Sequence, residues 1–407
     1  MPEFLPIPYP RKSSGLLLLL CSALFAGCAQ GGAGSIPGVA ANPGVAGAIG
    51  AKRHTQPTCP TAYNFKGYPD GSRPEAALLN LNGTLYGTTA TGGSSSIGTV
   101  YTVAGGSETI VHSFTGTPDG SSPYAGLIAV GSALYGTTIH GGAHGDGAVF
   151  KINKAGKVSI VYSFNGTPDG AEPAAGLIND GGTLYGTTPI GGATGNGTVF
   201  SVTTSGVEKV LYSFANGSDG AGPIASLVRF RGALWGTTQG GGTSGYGTVF
   251  SVTTSGKESV VHAFAGSPDG ASPVAGLIKV SGALYGTTPN GGSVRSAAGG
   301  TVFKITAAGK ETVLYSFGTA GDAENPNADL LDVNGTLYGT STMGGQVGIG
   351  TVFAITTSGA ESVLCSWASE TGGEEPMAGV IDVGGTLYGT TQGGGSKNQG
   401  TVFAVPL

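Results

Sequence analysis

Seven copies of one unit of about 50 residues make up most of this chain of 407 residues. Each copy contains a Leu-Tyr-Gly-Thr-Thr-like segment, a Gly-Thr-Val-Phe-like segment and a Tyr-Ser-Phe-like segment, with a proline nine residues after the last aromatic. The aromatic residues of the first segment are Tyr86, Tyr135, Tyr185, Trp235, Tyr285, Tyr338 and Tyr388, at spacings of 49, 50, 50, 50, 53 and 50 residues. A period of this length indicates an architecture in which every copy is one supersecondary unit.

Each unit contains four short runs rich in β-formers. In the third unit these runs are predicted at Ala174–Ile178, Thr183–Thr188, Gly197–Val202 and Glu208–Phe214. Glycine-rich turns separate the runs, as in hairpins, and no run has the length or periodicity of a helix. Four antiparallel strands in a repeat of this length are typical of one β-propeller blade.

Each end of the repeat region holds only part of a blade, and the two parts complement each other. The region begins with a lone fourth-type strand at Thr61–Phe65 and ends with a third-type strand at Gly400–Val405 that no fourth strand follows. An N-terminal strand on the outer edge of the last blade would close the ring and remove an unpaired edge. The sequence therefore predicts an all-β, seven-bladed propeller of four-stranded blades, closed by an N-terminal outer strand.

The composition fits this architecture and excludes others. Glycine contributes 79 of 407 residues, but it does not recur at every third position as in collagen. Recurring clusters of Val, Ile, Leu, Tyr and Phe argue against disorder. The net charge of −5 argues against nucleic-acid binding, which requires a basic face. In a propeller, small pairs such as Ala175-Gly176 suit the crowded axis, where seven backbones converge.

The N-terminal residues form an export signal. Residues 1–28 contain a positive flank at Arg11 and Lys12 and a short apolar core at Gly15–Ala26, which is the pattern of a signal peptide. The end of this segment, Leu24 to Cys28, resembles the lipobox of bacterial lipoproteins and implies lipid attachment at Cys28. An ordinary signal peptide is the alternative. Residues 29–58 are predicted to form a flexible Gly/Ala/Pro tether, and residues 59–407 the propeller.

Two cysteines, Cys59 and Cys365, remain in the exported part of the chain. Export allows them to pair, and the sequence leaves the pairing open. Cys365 occupies a position that Tyr or His fills in the sister repeats, so we expect it to be a buried hydrophobic residue. No spacing of cysteines suits a metal.

The repeat resembles that of the GloVer tandem-repeat proteins, a family of bacterial exported proteins with a choice of anchors. The resemblance rests on Leu184 to Thr188, Gly191-Gly192 and Gly197 to Phe200 and on their counterparts in all seven units. It implies export, surface anchoring and a repeat architecture, and it brings no catalytic residues.

Strand alternation places the loops from second to third strand on the same face as the loops from fourth strand to next blade. The second-to-third loops vary most among the repeats, which favours a specialised face; drift of solvent-exposed loops is the alternative. The candidate ligand contacts on this top face are His140, His144, Asp146, Tyr246, Arg295 and Lys397. His140, His144 and Asp146 form the one compact group of potential metal ligands, but nothing in a glycine-rich loop fixes their geometry, so no metal is predicted.

The other top loops carry an aspartate five residues after each Phe. These residues are Asp70, Asp119, Asp169, Asp219, Asp269 and Asp322, and Gly372 breaks the series. A ring of carboxylates could bind cations, but Pro-Asp-Gly is also ordinary turn chemistry, which we favour. His112 and His262 replace Tyr in fourth strands and are expected to be packing residues.

The motifs of nucleophilic hydrolases, phosphate-binding loops and zinc proteases are absent from the sequence. We therefore predict a non-catalytic, lipid-anchored binding module of the bacterial envelope, placed at the outer membrane or cell surface. It would bind a protein, peptide or glycan, act as a monomer, need no cofactor and contact the membrane only through its anchor. One alternative is a hydrolase or lyase acting on an extracellular polymer, with His140, His144 and Glu172 as acid–base candidates. Another is a structural or adhesive envelope protein.

Overall fold

The structure, a computed structural model, describes residues 56–153, 155–293 and 299–407. Over these residues it contains seven four-stranded antiparallel sheets, which are the blades of a seven-bladed β-propeller, and one short 3-10 turn at Glu370–Gly372. The predicted fold class is confirmed. The signal peptide, Cys28, almost all of the tether and Arg295 lie outside the described residues.

The strands of blades 1 to 4 follow chain order from the axis outward. Blade 1 comprises Leu79–Leu81, Thr84–Thr89, Thr99–Ala104 and Ser107–Ser113, and blade 2 comprises Ile128–Val130, Ala133–Thr138, Ala148–Ile152 and Val158–Ser163. Blade 3 comprises Ile178–Asp180, Thr183–Thr188, Thr198–Thr203 and Glu208–Ser213, and blade 4 comprises Val228–Phe230, Ala233–Thr238, Thr248–Val252 and Glu258–Ala263.

Blades 5 to 7 continue the pattern. Blade 5 comprises Ile278–Val280, Ala283–Thr288, Thr301–Ile305 and Glu311–Ser316, and blade 6 comprises Leu331–Val333, Thr336–Ser341, Thr351–Thr356 and Glu361–Ser366. Blade 7 comprises Ile381–Asp382, Thr386–Thr391, Thr401–Pro406 and the N-terminal strand Thr61–Asn64. Two-residue strands pair in the loops: Gly71–Ser72 with Thr91–Gly92, Gly270–Ala271 with Asn290–Gly291, and Ala323–Glu324 with Met343–Gly344.

The first strand of the third unit differs from the prediction. It was expected at Ala174–Ile178, but the ladder includes only Ile178–Asp180. The residues before it bond to the neighbouring blade instead, since the Ala175 carbonyl accepts a hydrogen bond from Thr137 of blade 2. We call the residues between the proline and the first strand of each blade the inner segment. The inner segment therefore bonds to the neighbouring blade rather than to its own sheet.

A threonine hydroxyl links every blade to the next near the axis. In each case the second-strand threonine donates to a main-chain carbonyl of the following inner segment, at 2.9–3.2 Å. The pairs are Thr88–Ala125, Thr137–Ala175, Thr187–Ala225, Thr237–Ala275, Thr287–Ala328, Thr340–Ala378 and Thr390–Ala76. The last pair joins blade 7 to blade 1 and completes the ring.

Aromatic rings fill the spaces between blades. The Phe that ends one fourth strand meets the third-strand aromatic of the next blade edge-to-face, as Phe164 meets Phe200 at 5.0 Å between ring centroids. Such a contact adds about 0.5–1.5 kcal/mol to the stabilisation from area burial. The glycine of each Leu-Tyr-Gly-Thr-Thr segment lies under this ring, because a Cβ at Gly186 would stand 2.7 Å from Phe200.

The N-terminal strand closes the ring as predicted. Thr61–Asn64 pairs antiparallel with Thr401–Pro406 and occupies the outer edge of blade 7. The pairing that the sequence leaves open is present, because Cys59 and Cys365 form a disulfide with Cα atoms 5.1 Å apart, and Cys365 is buried as expected. Cys59 lies two residues before the closing strand and Cys365 lies on the outer strand of blade 6, so the bond ties the closing strand to the neighbouring blade.

Replacing Cys365 with Ser should lower the free energy of unfolding by about 2–5 kcal/mol, because a crosslink across 306 residues restricts the unfolded chain. Denaturant unfolding with and without dithiothreitol measures the effect. Reductant should lower the midpoint of the wild-type protein and leave that of the variant unchanged. Equal midpoints for the oxidised wild type and the variant would contradict a stabilising bond.

Blade 2 lacks one hydrogen bond that the other six blades have. In those blades the last hydroxyl residue of the second strand bonds the first threonine of the third strand, as Thr188 bonds Thr198 at 2.8 Å. In blade 2 the register partner of Thr138 is Ala148, and the buried Thr138 hydroxyl has no partner.

The substitution Ala148→Thr should therefore supply the missing partner and raise the free energy of unfolding by about 1 kcal/mol. Ala148→Val is the matched control, because it adds similar volume without a hydroxyl. Chemical denaturation of both variants measures the difference. Equal stabilisation by Val and Thr would show that packing, rather than the hydrogen bond, is the cause.

Candidate functional site

The top face consists of the two loop sets that the sequence placed together. In every blade the loop entering the blade pairs with that blade's second-to-third loop, as Ser121 and His140 exchange backbone hydrogen bonds of 2.9 and 3.2 Å. The paired residues are Gly71–Gly92, Ser121–His140, Ala171–Ile190, Ala221–Gly240, Gly270–Gly291, Ala323–Gly344 and Glu374–Gly393. A regular sevenfold frame thus holds all the variable loops.

The repeated aspartates bond within their own turns. Asp169 accepts hydrogen bonds from the Tyr162 hydroxyl at 2.8 Å and from the Asn165 amide at 3.0 Å. The corresponding donor and acceptor pairs are Tyr63–Asp70, His112–Asp119, Tyr212–Asp219, His262–Asp269 and Tyr315–Asp322. This is the arrangement of a structural turn, in which the carboxylate orders the chain between two blades.

In five of these turns a glutamate from the next blade joins the pair. We call the resulting group of Tyr or His, Asp and Glu an interblade lock. The locks are Tyr63–Asp70–Glu108, Tyr162–Asp169–Glu208, Tyr212–Asp219–Glu258, His262–Asp269–Glu311 and Tyr315–Asp322–Glu361. Val158 takes the glutamate position in blade 2. Between blades 6 and 7, Cys365 and Cys59 take the outer two positions and Gly372 the middle one, so a disulfide replaces the lock.

The lock glutamates hold their protons more tightly than exposed carboxyls do. Burial and, to a smaller extent, the nearby Asp219 carboxylate together raise the pKa of Glu258 from 4.5 to about 7. Burial and the neighbouring aspartate raise the pKa of Glu208 and Glu361 to about 7 as well. One carboxyl of each pair is thus partly protonated near neutrality.

The candidate top-face residues that the structure describes lie in three different blades. His140 and His144 are exposed and Asp146 is half-buried in the loop of blade 2. Glu172 is buried beside them, and burial raises its pKa while His140 opposes the shift. Tyr246 of blade 4 is 46% exposed and lies over Gly266, and Lys397 of blade 7 is exposed. Only the blade 2 residues and Glu172 therefore form one electrostatic group.

The inner segments carry two rings of residues. The mouth ring is the position after each proline: Glu75, Tyr124, Ala174, Ile224, Val274, Asn327 and Met377. The waist ring is two residues further on: Ala77, Gly126, Gly176, Ser226, Gly276, Asp329 and Gly379. The sequence predicts small residues at the crowded axis, which is where the waist ring lies, but it did not single out the mouth ring. Comparing the repeats position by position could have identified the mouth ring, because the proline before each of its residues does not vary while the residue itself differs in every blade.

The waist ring is tightly packed around the axis. A Cβ at Gly126 would stand 2.9 Å from the Ala77 carbonyl, so glycine is needed where the blades meet. The backbone amide of Gly276 donates to Asp329 Oδ1 at 2.5 Å. Burial raises the pKa of Asp329, which is the one ionisable side chain of the waist ring.

Polar side chains from three blades converge on Glu75 in the mouth ring. Its carboxylate lies 3.1 Å from the Arg73 guanidinium and accepts a hydrogen bond of 2.9 Å from Gln392 of blade 7. The Tyr124 hydroxyl of blade 2 bonds the same carboxyl. The side chain of Glu75 is 3% exposed, and this burial raises its pKa to about 7 against the opposing effect of Arg73.

The chain is thus a seven-bladed propeller with a regular frame and an asymmetric set of mouth-ring residues. The profile described as the Gloeobacter/Verrucomicrobia repeat matches residues 25–245, 101–298 and 232–406. The chain belongs to this repeat family, which confirms the resemblance drawn from the sequence. A search of curated proteins finds no match.

Several solved structures share the fold. A lectin from Burkholderia pseudomallei is 13% identical with a TM-score of 0.58, and the match covers 83% of this chain and 96% of the lectin. The extracellular domain of a putative hybrid two-component system from B. thetaiotaomicron is 11% identical with a TM-score of 0.56, over 84% of this chain and 39% of that one. PorZ, a surface component of the type-IX secretion system of Porphyromonas gingivalis, is 14% identical with a TM-score of 0.51, over 81% and 46%.

Among the residues that the structure describes, no helix has the length and hydropathy needed to cross a membrane.

Thermal stability should fall as the pH rises from 5 to 7. In this range the folded protein keeps the proton on Glu258, whose pKa is about 7, whereas the unfolded chain has lost it. Glu258→Gln should make the melting temperature less dependent on pH. The exposed Glu370→Gln is the control and should leave the dependence unchanged. A wild-type melting temperature that rises between pH 5 and 7 would contradict the prediction.

Proposed function

We propose that this chain is an exported, lipid-anchored propeller that binds an extracellular ligand, without catalysis, through its top face. The ligand would be centred on the mouth ring and flanked by the variable loops. The proposal rests on the contrast between the repeated bonds that join the blades and the varied residues of the mouth ring. The seven Thr-to-carbonyl bonds repeat in every blade, whereas the seven mouth residues all differ.

The mouth ring divides into two arcs of different chemistry. Ala174, Ile224 and Val274 form an apolar arc across three consecutive blades. Glu75 and Tyr124 form a polar arc, in which Arg73 remains 47% exposed and can donate to a ligand. A few fixed polar groups beside an apolar wall are the general pattern of a ligand site. Such an opening suits an amphipathic ligand, such as a glycan or a peptide end.

Two exposed tyrosines of the top loops support a glycan or peptide ligand. Tyr68 is 72% exposed and Tyr246 is 46% exposed, and an exposed aromatic side chain offers both an apolar ring and a polar hydroxyl. A lectin and the extracellular domain of a sensor system are among the proteins that share the fold. The disulfide supports export, because such bonds persist in oxidising compartments. Cys28 is the proposed point of lipid attachment.

The proposal can be tested by screening the mature protein on glycan and peptide arrays and then measuring affinity by calorimetry. Ile224→Asp and Tyr124→Ala should each weaken binding at least about tenfold, because they alter the two arcs of the mouth. Lys279→Ala, an exposed first-strand change away from the mouth, is the control and should leave affinity unchanged.

Tyr246→Ala and Lys397→Ala test the flanking loops in the same assay, with a smaller loss expected. Unchanged affinity in all four top-face variants would overturn the proposal. Turnover of an array ligand would instead favour the hydrolase or lyase alternative.

A further inference from the structure

One interblade lock differs from the others in its chemistry. The lock between blades 4 and 5 consists of His262 in Glu258–Ala263, Asp269 in the following loop and Glu311 at the start of Glu311–Ser316. One ligand atom of each lies within 4.8 Å of the others, and all three side chains are half-buried. The His262 Nε2 atom is 3.1 Å from Asp269 Oδ2.

Each sister interface lacks at least one of these three groups. A tyrosine replaces the histidine in four of the five locks, and a neutral phenol is a poor metal ligand beside an imidazole. The pair His112–Asp119 keeps the histidine, but Val158 stands where the glutamate would be. Only the lock between blades 4 and 5 therefore brings one imidazole and two carboxylates together.

We propose that His262, Asp269 and Glu311 bind one divalent transition-metal ion, with Zn²⁺ as the preferred ion. One nitrogen and two carboxylate oxygens are ligands that zinc accepts, and three protein ligands leave a fourth position open. Two carboxylates balance the charge of the ion. The sequence predicts no metal and a packing role for His262, because the glutamate of the next blade is 49 residues away along the chain.

The geometry needs only a small adjustment to hold the ion. At the limit of three atoms 4.8 Å from one another, an ion at their centre lies about 2.8 Å from each, since 4.8/√3 is about 2.8. Zinc–oxygen bonds measure about 2.0–2.2 Å, so the ligands must close by at most about 0.6–0.8 Å. Glu311 can supply this movement, because its buried Oε1 atom has no hydrogen-bond partner. The other lock glutamates share this unpartnered oxygen, but they have no histidine beside them.

Asp269 is the fixed ligand of the group. Its Oδ2 atom accepts the Ala265 amide at 3.0 Å and its Oδ1 atom accepts the Gly270 amide at 2.7 Å. These bonds hold the carboxylate in place before any ion arrives. The free lone pairs of a carboxylate allow it to accept amides and to bind a metal at the same time.

An open depression of the surface lies beside two of the three lock residues, Asp269 and Glu311. The depression has a volume of about 570 Å³ and is lined by Asp269, Glu311 and Tyr315 among others. Water or a small anionic ligand can therefore complete the coordination from this side. The site lies between outer strands, at the rim, so it is separate from the mouth ring and does not rest on the proposed ligand there.

The test uses the mature protein, freed of metal by a chelator and titrated with ZnCl₂ by calorimetry, with metal content measured after dialysis. One Zn²⁺ ion per chain is expected. His262→Tyr and Glu311→Val should each lower the affinity by at least about 100-fold, since loss of a direct ligand exceeds the usual cost of losing a supporting residue. Both residues already occupy these positions in sister blades, so the variants are expected to fold.

Two controls separate the rim site from other imidazoles. His112→Tyr and the double change His140→Ala with His144→Ala should leave the affinity and stoichiometry unchanged. Zn²⁺ should also raise the melting temperature of the wild-type protein, and His262→Tyr should abolish this rise. Absence of stoichiometric binding would overturn the proposal, as would binding that survives His262→Tyr or disappears with the His140 and His144 changes.

Discussion

The hydrogen bond from a second-strand threonine to a main-chain carbonyl of the next blade is the contact on which the ring depends. It recurs seven times and joins blade 7 back to blade 1 through Thr390 and Ala76. Because the bond requires the inner segments to approach closely, the waist positions are mostly glycine. Farther from the axis, the aromatic contacts between blades also require glycine, as at Gly186, which lies under the ring of Phe200. These close approaches explain the four glycines of the waist ring and the seven of the Leu-Tyr-Gly-Thr-Thr-like segments, whereas most other glycines of the described chain lie in turns with positive φ.

At the outer strands, neighbouring blades are joined by three kinds of contact. Most interfaces join blades by a carboxyl lock, one uses only His112 and Asp119, and one uses a disulfide. The disulfide lies where the chain closes, and there covalent linkage fixes the one outer strand that is remote in sequence from its own blade. The same position is therefore an interface element in every blade, and its chemistry can change without altering the fold.

Much of the fold could be predicted from the sequence because the signals are local and repeated. The number of blades, the closing strand and the two faces follow from motif spacing and turn residues. The predicted first strand at Ala174–Ile178 was displaced because its carbonyls serve the neighbouring blade. The site was harder to predict: Glu75 was missed because its partners are spread over three blades, with Gln392 lying 317 residues away.

The sequence by itself determined the sevenfold repeat, the strand order and the closure, since each depends on spacing along the chain. The tertiary structure decided which side chains meet. Cys59 and Cys365 are 306 residues apart, and His262 meets Glu311 only because blade 5 packs against blade 4 at a fixed rotation. Contacts between blades depend on that rotation about the axis, which no local propensity encodes. For this reason the frame can be derived from the repeat, whereas the mouth and the rim site required the folded ring.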